Sequence, residues 1–296
     1  MSDVIYTPRE SSSLFRVNGI FTVYNTCFDR DYKYKGEVHN FWELVYVKEG
    51  HVGIMAHDKI FELQQGEIVF HKPGEFHSIW STQNSCPKVF IISFSLDTKL
   101  PALESTICTL SESSKHLIDL LIEECSLLRT KYNTVTHASQ LESLKQPPLG
   151  MDHTIKNYLE LLIINIIRQK EDVTTKYTYE PIRLENYDKV IAYIHANLFT
   201  SITIETICTH CNVSSSTLKN IFKKYVGVGA MEYVTKMKVH QAMALLSEGL
   251  SSQEISDRLA FSSPYYFSSV FKRVMGMTPS EYKKQTIRIE NRQDAL

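Results

Sequence analysis

The sequence predicts an α+β protein in two parts, a β-rich N-terminal half with flanking helices and an all-α C-terminal third. Three observations carry this expectation. Residues 1–100 run through short β-branched or aromatic stretches punctuated by Gly36, Gly50, Gly66 and Gly74, the pattern of antiparallel strands joined by turns. Beyond Glu112 apolar residues recur at helical rather than alternating spacing. Beyond Arg183 a helix-turn-helix pattern of about 50 residues is written twice.

In chain order, Ile20 to Phe28, Phe41 to Val47, Val52 to Ala56, Glu67 to Phe70 and Val89 to Leu96 read as strands of a barrel or sandwich. Alternation places Glu37, His39, Phe41, Glu43 and Val45 on one face. If that face is the barrel interior, His77 can join Glu37, His39 and Glu43, and with Phe41 and Trp80 they make the candidate pocket for an organic ligand. The adopted expectation is such a pocket without metal. The alternative is a metal set of Glu37, His39, Glu43 and His77, since carboxylate oxygens and imidazoles are both ligands. Trp42, Tyr46 and Trp80 read as sheet packing.

Two helices are expected next, from Glu112 to Arg129 and from Asp152 to Lys170, separated by a long polar loop from Tyr132 to Gly150. Their stripes carry Leu117, Leu121 and Leu128, then Leu159, Leu162 and Ile166. Glu171 to Pro181 has no periodicity and reads as a linker.

The C-terminal pattern is the most specific part of the chain. Ser263 is a natural N-cap with Pro264 at the first helical position. Phe267, Val270, Phe271 and Val274 then make one buried stripe. The earlier copy has Ser214 as cap and Leu218, Ile221, Phe222 and Tyr225 as stripe. Phe222/Phe271, Gly227/Gly276 and Glu232-Tyr233/Glu281-Tyr282 recur in step. Each copy is a helix, a tight turn and a second helix suited to a DNA groove. Ser216, Lys219 and Asn220 in the first unit, and Tyr265, Ser268 and Ser269 in the second, are the base-contacting candidates, because amide and ammonium groups suit base edges. Ser214, Lys223, Lys224, Ser263, Lys272 and Arg273 are the phosphate-contacting candidates. A joining helix from Ala230 to Ser247 would be about 27 Å long, close to the separation of successive major grooves.

Residues 185–288 resemble the double helix-turn-helix domain of the AraC family of bacterial transcription regulators, most specifically through Ala260-Phe261-Ser262, Phe267, Phe271-Lys272, Gly276, Thr278-Pro279 and Tyr282. The family usually has Gly where Ala260 stands. Glu37 to Glu43 and Gly66 to His77 resemble the two cupin motifs, whose metal-binding members typically carry His, His, Glu and His at the four ligand positions; Glu37 is the departure. The resemblance implies a cupin-like jelly roll over 1–100, a helical dimerisation segment over 101–172, a linker over 173–184, the DNA-binding domain over 185–288 and a tail over 289–296. It further implies promoter DNA and RNA polymerase as partners, an activator role, a small-molecule effector and a homodimer joined through the leucine and isoleucine stripes. Sugars and fatty acids are both inputs for the family, and no residue selects between them. The competing expectations are a metal-dependent cupin enzyme with an accessory DNA domain, and a regulator governed by a protein partner.

Composition agrees. Of 296 residues, 43% are hydrophobic and 22% charged, as in a globular protein. The net charge of −1 divides unevenly, with a basic excess after Arg183 and an acidic excess before it, which suits nucleic-acid binding by one part only. No apolar leader and no membrane-length apolar run are seen. Six cysteines without framework spacing suggest free thiols in a reducing cytoplasm, which the resemblance makes a bacterial one. Cys208, His210 and Cys211 offer three ligands where a structural zinc site uses four. No nucleophile-base set can be assembled from residues 1–100; no catalytic residues are assigned and no cofactor is expected, and as a regulator the chain is not expected to be an enzyme.

Overall fold

The structure is a computed structural model that describes residues 13–56, 58–104, 106–133, 138–143, 146–171 and 181–284. Most of the expected linker and the whole of the expected tail lie outside the described residues. The N-terminal half holds β1 (Val17–Cys27), β2 (Trp42–Glu49), β3 (His51–Ala56), β4 (Lys59–Gln64), β5 (Glu67–His71), β6 (Ser78–Ser81), β7 (Lys88–Leu96) and β8 (Ile107–Thr109). It continues through α1 (Glu112–Cys125), a hairpin of β9 (Leu128–Asn133) and β10 (Ala138–Ser143), and α2 (Met151–Glu171). A sheet ordered β1-β7-β2-β5-β8 faces a smaller one ordered β4-β3-β6, and every pairing in both is antiparallel.

Alternation along β2 explains this layering. Trp42, Leu44 and Tyr46 face outward beneath α1 and α2, with Ile118, Leu121, Ile155, Leu159, Leu162 and Ile166 closing over them. Val45 and Val47 face inward against Val52, Ile54, Phe61 and Leu63 of the smaller sheet. The outer face of that smaller sheet is covered in turn: Met55 and Ile60, with Val38 and Phe76, share a core with the first helix-turn-helix unit.

The C-terminal part comprises α3 (Glu185–Ala196), α4 (Ile204–Cys211), α5 (Ser215–Ile221), α6 (Ala230–Ser247), α7 (Ser252–Arg258) and α8 (Pro264–Met275). Both units are capped as their sequences direct. Thr203 and Ser251 make capping boxes at the starts of α4 and α7, and Ser214 and Ser263 accept from Thr217 N and Tyr266 N at the starts of α5 and α8. The turns match as well: Val213 N donates to Cys208 O at 3.1 Å and Phe261 N to Ser256 O at 2.9 Å, the six-to-one closure that follows a left-handed residue. That residue is Asn212 (φ 53°) in the first unit and Ala260 (φ 51°) in the second. The first half of α6 belongs to the core of the first unit and its second half to that of the second.

Four expectations need correction. The first helix stops at Cys125 rather than Arg129, and Leu128 begins β9. The expected polar loop from Tyr132 contains the strand Ala138–Ser143, and Thr130 Oγ1 ties this hairpin to β1 by accepting from Val23 N at 2.8 Å. The expected helical segment 101–172 therefore also carries strands. Finally, Leu121, Leu159, Leu162 and Ile166 are each 0% exposed beneath the large sheet; they cover the chain's own core and are not surface for a second copy.

Candidate functional site

The second helix of each unit is buried on its apolar stripe and open on its polar face. Leu218 and Ile221 of α5 are buried, while Ser214, Ser216, Lys219, Asn220, Lys223 and Lys224 are exposed. In α8, Phe267, Val270 and Phe271 are buried, while Tyr265, Ser269, Lys272 and Arg273 are exposed and Ser263 and Ser268 are half-buried. Tyr266, absent from the expected contact set, is 49% exposed beside Tyr265 at 87%. Ser214 and Ser263 spend their hydroxyl oxygens on helix caps, and the Ser214 hydroxyl also meets those of Ser216 at 2.8 Å and Thr217 at 2.9 Å. After Ile221 the chain makes one π turn over Phe222–Val226 and closes on Gly227 (φ 83°); α8 continues as a regular helix to Gly276 (φ 74°). The periodicity of the two copies is too similar to foretell that difference.

Lys238 connects the units. Its buried ammonium donates to Thr200 O, beyond α3, at 2.8 Å and to Leu259 O, at the end of α7, at 2.6 Å. Burial lowers its pKa, and the carbonyl at a helix C-terminus is a favourable partner for the charge it keeps.

In the β-rich half, Glu37, His39, Glu43 and His77 converge, with one ligand-type atom from each lying within 4.8 Å of the others. Backbone pairing sets this up: Glu37 N donates to His77 O at 3.0 Å and His77 N to Glu37 O at 3.1 Å. His77 Nε2 lies 3.4 Å from Glu43 Oε1 and 3.8 Å from Glu37 Oε1, and His39 Nε2 lies 3.9 Å from Glu43 Oε2. These separations are longer than a hydrogen bond, and neither His39 Nε2 nor His77 Nε2 has a hydrogen-bond partner. Burial opposes charge on His77, but Glu37 and Glu43 beside it hold its pKa well above the ordinary imidazole value. Burial and the neighbouring His77 push His39 down to about 4 against the pull of Glu43 and Glu37. Burial also works against a charged Glu43, and His77, His39 and His71 more than offset it, leaving its carboxyl below the usual range.

The remaining pocket candidates divide. Phe41 stacks on His39 at 3.9 Å and on Phe21 at 4.3 Å, walling the cluster. Trp80 instead lies over Gly53, where an added Cβ would come within 2.2 Å of the indole, and it meets Tyr225 of the DNA-binding part. His71 and Glu75 were not among the candidates. His71 stacks on His77 at 4.3 Å and is paired with Glu75 at 2.9 Å, with both buried. Their place inside the second cupin-like motif was the available signal.

The segments that carry the cluster also hold the first helix-turn-helix unit. Lys236 Nζ donates to Gly36 O and Lys33 Nζ to Lys223 O. Ser78 Oγ donates to Tyr225 O at 3.0 Å, and Phe76 meets Tyr233 edge-on at 4.9 Å. Asp58, at φ 61°, accepts from Tyr233 OH at 3.2 Å and lies 3.2 Å from His195 Nε2. This interface joins residues far apart in sequence, and no local pattern announces it.

Comparisons with known proteins agree with the two-part architecture. Residues 19–166 match the family model described as an AraC-like ligand binding domain, and residues 207–285 match a helix-turn-helix domain. The raffinose operon transcriptional regulatory protein RafR of Pediococcus pentosaceus is 25% identical over 91% of this chain and 94% of its own length. The transcriptional regulatory protein HptR of Staphylococcus aureus is 30% identical over 36% of this chain and 44% of its own length. Among solved structures, ToxT from Vibrio cholerae O395 aligns over 91% of this chain and 96% of its own, with 15% identity and a TM-score of 0.36.

Proposed function

The chain belongs to the AraC family, as a DNA-binding transcription regulator with a ligand-binding domain, and from that premise we propose that it is an effector-controlled, sequence-specific activator that works by binding rather than by catalysis. The single observation that carries the reading of DNA is the pair of capped helices, α5 and α8, each buried on its apolar stripe and open on its polar face. They are joined by α6, whose 18 residues span about 27 Å. One protomer then serves two successive major grooves and reads an asymmetric site. In this reading residues 185–288 form the DNA-binding module. Lys219 and Asn220 discriminate bases, with Ser216, Tyr265, Ser268 and Ser269 beside them, while Lys223, Lys224, Lys272 and Arg273 neutralise phosphates.

The N-terminal half is the effector module, and its buried His-Glu cluster is the part with binding chemistry. Dimerisation, with the inward leucines removed from consideration, falls to the outer rows of α1 and α2, where Leu161 is 48% exposed and Leu117 and Ile164 are only partly covered. Promoter DNA, RNA polymerase and a second copy are the partners of this reading, and the bacterial cytoplasm is its location.

Fluorescence anisotropy on a duplex enriched from a random library, against an unselected duplex of equal length, tests the proposal. Asn220→Ala and Lys219→Ala should each weaken specific binding by about 1–3 kcal/mol and leave non-specific binding nearly unchanged. Lys272→Ala and Arg273→Ala should weaken both and flatten the salt dependence. Equal losses on both duplexes for Asn220→Ala would refute its base-reading role.

A further inference from the structure

We propose that Glu37, His39, Glu43 and His77 bind a divalent transition-metal ion, and that this ion is the effector of the N-terminal module. The inference rests on the reading of that module as effector-binding and names its ligand class. Its basis is that all four side chains are anchored by partners outside the cluster, each imidazole through Nδ1 and each carboxylate through one oxygen. His39 Nδ1 lies 2.9 Å from Phe41 O and His77 Nδ1 lies 3.0 Å from Glu75 O. A carbonyl only accepts, so each ring is protonated at Nδ1, and Nε2 is the nitrogen that can offer a lone pair to an ion, which on His77 displaces the proton held there by the two carboxylates. Glu37 Oε2 accepts from Tyr34 OH at 2.8 Å, and Glu43 Oε2 accepts from Ser93 Oγ at 3.0 Å. Outer hydrogen bonds of this kind fix imidazole tautomers and orient carboxylates at metal centres.

The inner atoms fit the same interpretation. His77 Nε2 lies 3.4 and 3.8 Å from the two carboxylates, and His39 Nε2 lies 3.9 Å from Glu43. Ligands about 2.1 Å from a tetrahedral ion stand roughly 3.4 Å apart, whereas an imidazole hydrogen-bonded to a carboxylate stands at about 2.8 Å. Both Nε2 atoms are without a hydrogen-bond partner although His77 is only 3% exposed. Two imidazoles and two carboxylates match borderline divalent ions such as zinc, iron(II), cobalt(II) or nickel(II), and two negative charges balance the ion. The set contains neither the thiolates of a copper(I) site nor the all-oxygen shell of calcium.

The cluster is placed to report its occupancy. Glu37 follows Gly36, and His77 lies between Phe76 and Ser78; all three neighbours touch the first helix-turn-helix unit. An ion drawing Glu37 and His77 together pulls on those contacts.

The test uses the untagged full chain, stripped with EDTA and titrated with cobalt(II) and zinc(II). The expected result is close to one equivalent of metal by elemental analysis, visible cobalt absorption displaced by zinc, and a zinc-dependent change in DNA affinity by anisotropy. His77→Gln and Glu43→Gln should each lower metal affinity by about tenfold or more, and His116→Gln, on the exposed side of α1, should not. Far-UV circular dichroism establishes folding, and His39→Gln, nearer the rim, carries the test should the deeper variants unfold. Wild-type protein that takes up no metal, or folded variants that bind it as tightly as wild type, overturns the site. Metal uptake with unchanged DNA affinity overturns the effector role. Protein that loads metal but binds no duplex leaves the site standing and removes the regulator reading instead.

Discussion

Replacing Ala260 by glycine should stabilise the helical part of the protein. Ala260 ends the first helix of the second unit at φ 51° and is exposed, so its methyl group contributes little burial while its backbone lies in the left-handed region. An L-residue there costs about 1–2 kcal/mol. Glycine removes that cost and gives back about 0.4–1 kcal/mol through the greater freedom of the unfolded chain. The balance favours Ala260→Gly by roughly 0.5–1 kcal/mol, equivalent to about 4 °C in melting temperature for a unit of this size. The closing hydrogen bond from Phe261 N to Ser256 O needs no adjustment, because glycine adopts the same dihedrals. Urea titration followed by far-UV circular dichroism reads the helices, while tryptophan emission reads the other half, since Trp42 and Trp80 both lie there. The first unit supplies an internal comparison: Asn212 occupies the same conformation at φ 53°, which asparagine tolerates, so Asn212→Gly should gain less. A midpoint for Ala260→Gly equal to or below wild type, or a larger gain from Asn212→Gly, would sink the argument from backbone strain.

Two other outcomes follow from packing and burial. Gly36→Ala places a methyl group 2.1 Å from a ring carbon of Phe76 and 2.9 Å from Val226 O, and Phe76, 1% exposed, is backed by Tyr233; the strain of about 1–3 kcal/mol should open the contact between the small sheet and the first unit, read as faster amide exchange in β6 and α6, and unchanged exchange would count against it. Iodoacetamide at pH 8 should modify the exposed Cys27 and Cys86 well before Cys108 and Cys125, whose thiols burial pushes up to about 11 and about 12; equal labelling of Cys125 in folded and unfolded protein would contradict its placement.

The features legible in the sequence were those encoded locally. Ser263-Pro264 and the Phe267-Val270-Phe271 stripe specify a capped amphipathic helix without outside help, and its second copy in α5 identifies the unit. Glu37, His39 and Glu43 could be grouped from their spacing and His77 from its motif, although β2 begins only at Trp42, and Glu37 and His39 precede it, brought in by the bridge between Glu37 and His77. Lys59–Gln64 is not legible as a strand because its buried residues Ile60, Phe61 and Leu63 do not alternate cleanly. Leu128 continues the helical spacing because no glycine or proline marks the stop at Ser126, so the pattern runs on into a strand held by Thr130. The docking of the two halves was illegible for a different reason. It depends on Asp58, Phe76 and Tyr233 meeting, and nothing in their own neighbourhoods distinguishes them from ordinary surface or core positions.

Lys238 has a consequence for which promoters the protein can occupy. An ammonium bonded at once to Thr200 O and Leu259 O pins the angular phase between the two recognition helices from inside the protein. In the two-groove reading proposed above, each base pair inserted between the two subsites turns one relative to the other by about 35°, a rotation that this shared cation opposes. In that reading, tolerance of operator spacing is set by a side chain buried between the units and not by the faces that would meet the bases.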